Sequence, residues 1–188
     1  MKPNKALVIV DVQEAFEDSK WGERNNIEAE SNIRRILELW REKGYPVIYI
    51  QHQSDDQDSV FHPKHKGFKI KSIVKPNADE VIFTKKVNSA FIGTRLQEHL
   101  NESHINEVVI TGLTTPHCVS TTTRMSGNLG FKTFLISDAT AAYGLTDQNG
   151  IYHKPECIHD ITLATLHEEF ATIFSTEQLI SDMELPKD

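Results

Sequence analysis

The chain has 188 residues, 38% hydrophobic and 25% charged, which suits one globular domain over residues 1–188 with a sizeable core. Its formal charge of −7 argues against nucleic acid or an anionic membrane as partner, since an acidic surface is repelled by both. No apolar run approaches the roughly 20 residues needed to cross a bilayer. The start, Met1-Lys2-Pro3-Asn4-Lys5, lacks the pattern of a cleaved signal. Cys118 and Cys157, the two cysteines, are far apart in dissimilar settings, so no disulfide framework is expected and a reducing cytoplasm is the default compartment.

Ala6–Val10 is a continuous apolar run ending at Asp11, the pattern of a central strand buried on both faces. From about Ile27 to Lys43, apolar residues fall at Ile33, Ile36, Leu37 and Trp40, the three-and-four spacing of an amphipathic helix. Gly44 stops it and Pro46 opens the next segment. Val47–Ile50 reads as a second strand and Glu80–Thr84 as a third, with helical turns over Thr94–Leu100. Val108–Ile110 is a fourth strand, His117–Leu129 a helix closed by Gly130, and Thr133–Ile136 a fifth strand. Cys157–His167 is helical and Phe170–Ile173 a short last strand. Between the second and third strands, Gln51–Asn77 is long and polar, an irregular excursion over the site.

Near-continuous apolar strands separated by helices imply a three-layer α/β/α Rossmann-like domain with a mostly parallel sheet of about six strands. Ligands of such sheets bind beyond the carboxyl ends of the strands. Asp11 ends strand one, Lys85 ends strand three and Cys118 follows strand four, so three chemically capable residues converge on one edge. Taken singly each has a plain structural use: the aspartate as a turn former, one of Lys85 and Lys86 as a solvated cation, the cysteine as a small buried hydrophobe. Convergence is what favours chemistry. A helix start beside Cys118 would favour thiolate and offer amides to a negative oxygen. Asp11 can carry the thiol proton, and Lys85 is expected to lower the pKa of both Asp11 and Cys118 by its charge. The competing classes are a redox sensor pairing Cys118 with Cys157, and a nucleotide-binding domain, although no glycine-rich phosphate loop follows strand one.

Three segments in order, Asp11-Val12-Gln13-Glu14-Ala15-Phe16, Lys85-Lys86-Val87-Asn88-Ser89-Ala90-Phe91 and Gly112-Leu113-Thr114-Thr115-Pro116-His117-Cys118, resemble the isochorismatase-like cysteine hydrolases. That superfamily includes nicotinamidases and N-carbamoylsarcosine amidohydrolase, and the resemblance spans most of the chain. It implies a catalytic triad of Asp11, Lys85 and Cys118, with Lys85 selected over Lys86 by its place four residues before Ser89. It also implies a cis peptide joining Leu113 and Thr114, an oxyanion hole from the Thr114 and Cys118 N–H groups, and Phe16 as a wall for the substrate. Cleavage of a C–N bond in a small amide, ureide or carbamoyl compound through a Cys118 thioester is the implied activity, with a vinyl-ether hydrolase as the alternative. The resemblance further implies a homo-oligomer, dimer or tetramer.

Two departures stand out. Pro116 occupies a position where many relatives carry aspartate, and proline suits a first helical turn. The nicotinamidase metal ligands correspond to His52 and Ser54, so no metal or other cofactor is expected, although His52, His62 and His65 are the histidines that could rebuild a site. Cys157 reads as structural.

Overall fold

The computed structural model describes residues 4–184, so Met1–Pro3 of the N-terminal segment lie outside it. Six parallel strands form one sheet: β1 (Lys5–Val10), β2 (Val47–His52), β3 (Val81–Lys85), β4 (Glu107–Leu113), β5 (Lys132–Ala141) and, later in the chain, β8 (Thr172–Phe174). A two-stranded hairpin, β6 (Leu145–Thr146) and β7 (Tyr152–His153), projects between β5 and the last helices. The helices are α1 (Ala29–Glu42), α2 (Leu96–Glu102), α3 (Ser120–Asn128), α4 (Pro155–Leu166) and α5 (Thr176–Glu184). No helix among the described residues is long and apolar enough to cross a membrane.

Strand β1 is buried at every position, and its alternate side chains feed two separate cores. Ala6, Val8 and Val10 pack with Leu96 and Leu100 of α2, Val119 before α3 and Leu166 of α4. Leu7 and Ile9 pack on the opposite face with Ile33, Ile36, Leu37 and Trp40 of α1 and Leu179 of α5. The result is a three-layer α/β/α architecture. Each of those four α1 side chains is at most 1% exposed, worth about 2 kcal/mol apiece in transferred apolar area. Helix α1 ends as its sequence dictates: Gly44 takes a φ of 65°, its N–H bonds to Arg41 O at 3.1 Å, and Pro46 follows.

The sheet order is β3-β2-β1-β4-β5-β8. From β1 the chain steps outward to β2 and β3, then crosses back to pair β4 on the other side of β1. The carboxyl ends of β1 and β4 therefore flank a topological switch point, where open α/β sheets have their crevice. Register sets the level of each end. Val10 lies opposite both Ile50 and Gly112, and His52 lies opposite Lys85.

Several boundaries differ from the sequence reading. The last strand starts at Thr172 rather than Phe170, and β5 runs on to Ala141 through a register shift opposite Ile110/Gly112. The helix expected over His117–Leu129 is two pieces: a π-helical turn at Thr115–Val119, then α3. Residues 53–80 hold only two single-turn 3-10 helices, Lys66–Phe68 and Ser72–Val74. That segment is pinned by buried polar contacts. Lys71 Nζ donates to Glu30 Oε1 at 2.8 Å and to Glu17, while Arg24 grips Glu30 bidentately at 2.8 and 2.5 Å. Burial alone would raise the Glu30 carboxyl, but Arg24 and Lys71 outweigh it and bring it down to about 2.

Gly112 of β4 lies directly against the backbone of Val10 in β1. Its φ is 126°, and a Cβ there would lie 2.0 Å from Val10 O and 2.7 Å from Val10 N. Both are backbone atoms of a buried strand and have no room to retreat. Gly112→Ala should cost about 3 kcal/mol or more of unfolding free energy, read as a lower urea midpoint. A midpoint within error of the parent would show that the sheet yields there.

Candidate active site

Asp11 follows β1 directly and adopts a φ of 52°, a left-handed conformation that aspartate tolerates better than most residues. Its N–H still bonds to Ile50 O at 2.9 Å, so the turn begins while the backbone is held to β2. The carboxylate is 1% exposed. Lys85 ends β3, where exposure alternates along the strand and the lysine falls on the buried side. Lys86 points the other way and pairs with Asp55 at 2.7 Å on the surface.

Cys118 lies inside the π-helical turn rather than on the first turn of an α-helix. Thr114 O accepts from both His117 N–H at 3.1 Å and Val119 N–H at 3.3 Å, which widens the turn. Pro116 occupies its opening positions, where a missing N–H costs nothing. Hydroxyls brace the turn on two sides. Thr114 Oγ1 lies 3.0 Å from His117 Nδ1, and Thr115 Oγ1 lies 2.9 Å from the buried His159 Nδ1 of α4 and 3.2 Å from Thr140 Oγ1. The Leu113–Thr114 peptide bond is cis.

The three residues meet at one point. Lys85 Nζ lies 2.6 Å from Asp11 Oδ2 and 3.2 Å from Cys118 Sγ. A third neighbour joins them: His52 Nδ1, at the end of β2, is 3.1 Å from the same ammonium. Asp11 Oδ1 is buried without a hydrogen-bond partner, so one carboxylate oxygen keeps its lone pairs unused. One ligand atom each from Asp11, His52 and Cys118 fall within 4.8 Å of one another, a spacing that could hold a cation. The Lys85 ammonium already sits against all three groups and supplies that positive charge. His62 and His65 are not gathered with His52: His62 Nδ1 accepts from Lys64 N–H at 3.2 Å, and His65 Nε2 lies 2.8 Å from Gln57 O.

Lys85 draws the pKa of both Asp11 and Cys118 down, as its charge implies, but burial outweighs it and both lie above their ordinary values. Burial raises Asp11, and the charge and hydrogen bond of Lys85 recover only part of that. Burial and then the Asp11 charge push the Cys118 thiol up to about 12 against the pull of Lys85. The resting pair is therefore a neutral thiol beside a carboxylate of raised basicity, an arrangement suited to passing a proton from sulfur to oxygen.

A cluster of aromatic rings adjoins His52. Phe16 packs against Leu113 and Ala141, and its ring centroid lies 5.5 Å from Trp21, 5.4 Å from Phe61 and 6.2 Å from Tyr143. Phe61 in turn sets an edge against His52 at 5.1 Å. The family resemblance supplies Phe16 alone; the other three lie outside its motifs, in irregular segments with no periodicity to mark them. The sequence reading also missed Gln13, which is fully buried and pairs with the His52 backbone in both directions: His52 N–H to Oε1 at 2.8 Å, and Nε2 to His52 O at 3.0 Å. Cys157 was read as structural, but it is exposed on α4, and both thiols are free. A surface groove of about 1200 Å³ is lined by Arg34, Arg41, Phe68 and Ile82 among others, and Asp11, Lys85 and Cys118 are not among its lining residues.

A protonated resting thiol has a measurable consequence. Alkylation of Cys118 by iodoacetamide at pH 7, followed peptide by peptide by mass spectrometry, should be slower than that of the exposed Cys157 and should climb as pH rises. Lys85→Met removes the one group favouring thiolate and should slow Cys118 by about a further tenfold, roughly one pKa unit. Faster labelling of Cys118 than of Cys157 at pH 7 would contradict the neutral thiol.

A family model described as the isochorismatase domain matches residues 5–178. The chain is 69% identical over 182 residues to the uncharacterized isochorismatase family protein YrdC of Bacillus subtilis (strain 168), covering 97% of each chain. It is 35% identical over 188 residues to Nicotinamidase 3 of Arabidopsis thaliana, covering 93% of this chain and 86% of that one. A solved isochorismatase-family structure from Chromobacterium violaceum matches with a TM-score of 0.93 at 34% identity, covering 96% of this chain and 94% of that one. With a family model spanning nearly the whole length and relatives this similar, the chain belongs to the isochorismatase family of hydrolases.

Proposed function

We propose that the protein cleaves a C–N bond in a small amide, ureide or carbamoyl compound through a thioester on Cys118. The observation that carries this reading is the Lys85 ammonium bridging Asp11 and Cys118 at 2.6 and 3.2 Å, three groups brought from the ends of β1 and β3 and the turn after β4. Similarity to a nicotinamidase adds support.

In the proposed reaction Asp11 accepts the Cys118 proton as sulfur attacks the substrate carbonyl. The negative charge formed on the carbonyl oxygen rests on the N–H groups of Thr114 and Cys118, oriented by the turn between them. Asp11 then gives its proton to the departing ammonia or amine, the C–N bond breaks, and a thioester remains. Asp11, ionised again, takes a proton from water as its oxygen attacks the thioester. The adduct then collapses with cleavage of the C–S bond, Asp11 returns its proton to the departing sulfur, and the carboxylic product leaves. Lys85 is unchanged in charge throughout and stabilises each anion that forms beside it. The raised basicity of Asp11 suits this shuttle, because a carboxylate held too acidic would not take a thiol proton.

Phe16, Trp21, Phe61 and Tyr143 make the surroundings compact and largely apolar, which favours a small substrate with a flat or apolar body over a long charged one. The test is a panel of small amides, ureides and carbamoyl compounds scored by ammonia release. Cys118→Ala and Asp11→Asn should each lower turnover of a positive compound by about 10⁴-fold or to background, while circular dichroism stays that of the parent. Acid-quenched samples should carry the acyl mass on the Cys118 peptide. Full turnover by Cys118→Ala would remove the covalent step.

A further inference from the structure

We infer that His52 is a positioning residue of this site: its Nδ1 accepts a hydrogen bond from the Lys85 ammonium and holds that group where it bridges Asp11 and Cys118. The inference rests on the proposed function for its purpose but on geometry for its content.

A lysine ammonium has three hydrogens and no lone pair, so every close polar neighbour must be an acceptor. Three such neighbours surround Lys85 Nζ: Asp11 Oδ2 at 2.6 Å, His52 Nδ1 at 3.1 Å and Cys118 Sγ at 3.2 Å. Three hydrogens meet three acceptors. The contact fixes the imidazole tautomer, because Nδ1 accepts only when the ring proton is on Nε2. The Lys85 side chain is fully buried, so no solvent stands ready to replace a lost partner. With the imidazole removed, the ammonium would keep one hydrogen unpaired in a buried site and would move to satisfy it.

The rest of the fold holds His52 for this task. Its backbone lies opposite Lys85 in the β2–β3 ladder, Gln53 N–H bonds to Lys85 O at 2.8 Å, and the Gln13 amide grips the His52 N–H and C=O. Phe61 sets the rotation of the ring from the 53–80 segment, with an interplanar angle of 80°. Burial, then the charge of Lys85, holds the imidazole down to about 4, so the ring stays neutral and keeps its lone pair. A neutral ring has a second advantage: it orients the cation without adding another charge to the site.

Two measurements decide the matter, and neither needs a substrate. Nitrogen NMR of imidazole-labelled protein at pH 7 should show His52 Nδ1 unprotonated and Nε2 protonated; the opposite tautomer or a doubly protonated ring would overturn the inference. Iodoacetamide labelling of Cys118 at pH 9 should be three- to tenfold slower in His52→Leu, which fills the space beside Phe61 but offers no lone pair. His52→Asn places an amide oxygen near the Nδ1 position and should restore the parent rate. A parent rate in His52→Leu, or an equal loss in both variants, would refute the acceptor role. Should the wild-type protein release no ammonia from any compound of the panel, the proposed function fails while the tautomer and labelling still decide the role of His52. Once a substrate is found, His52→Leu should lower kcat with little change in KM, the pattern of a mispositioned charge rather than a lost substrate contact.

Discussion

A buried ammonium shared among a carboxylate, a sulfur and an imidazole is the interaction on which the rest of this site depends. Removing a lysine and an aspartate from water costs several kcal/mol per ion, and only close, well-directed contacts offset it. Here the contacts come from three neighbouring strands and one turn, so no local segment could assemble the group by itself. The parallel sheet does the assembling. By ending β1, β2 and β3 at nearly the same level and placing β4 across the switch point, it brings residues 11, 52, 85 and 118 within hydrogen-bonding reach.

The same burial that makes the ion pair strong keeps the thiol protonated. This reverses a common picture of a cysteine nucleophile, in which a neighbouring cation or helix terminus maintains a standing thiolate. In this chain an aspartate lies beside the sulfur along with the lysine, and its negative charge adds to the burial that raises the thiol. Activation is then coupled to proton transfer, with the base supplied by the residue that opposes ionisation at rest. An electrophile arriving in the site would draw the two events together.

Much of the fold was legible because doubly buried strands leave a plain mark. Ala6–Val10 and Val108–Ile110 are uninterrupted apolar runs, and Ile33, Ile36, Leu37 and Trp40 mark one face of α1 by spacing alone. Asp11 and Cys118 were legible by their position just after such runs, and Lys85 by closing the third strand. What lay hidden were features decided by contacts distant in sequence. The π-helical turn depends on bracing by Thr115 against His159 and Thr140, which no local pattern around Cys118 encodes. The four-ring cluster draws on residues 16, 21, 61 and 143, each in an irregular segment. His52 was visible only as one of three histidines that could rebuild a metal site, with no metal expected. Only the structure shows that a cation of the chain itself occupies the place opposite its lone pair.

Gln13 gives the architecture one more property. Its amide side chain continues the sheet beyond the point where the backbone at Asp11 turns away, mimicking a peptide group toward His52 and donating to Phe68 O at 2.8 Å. Gln51 donates to that same carbonyl at 2.7 Å. At Phe68 the irregular 53–80 segment is thus moored to the sheet through a main-chain carbonyl, which every amino acid possesses. Apart from Lys71 and Phe61, whose side chains are themselves engaged, the segment can change its residues and reshape the rim without disturbing the groups beneath.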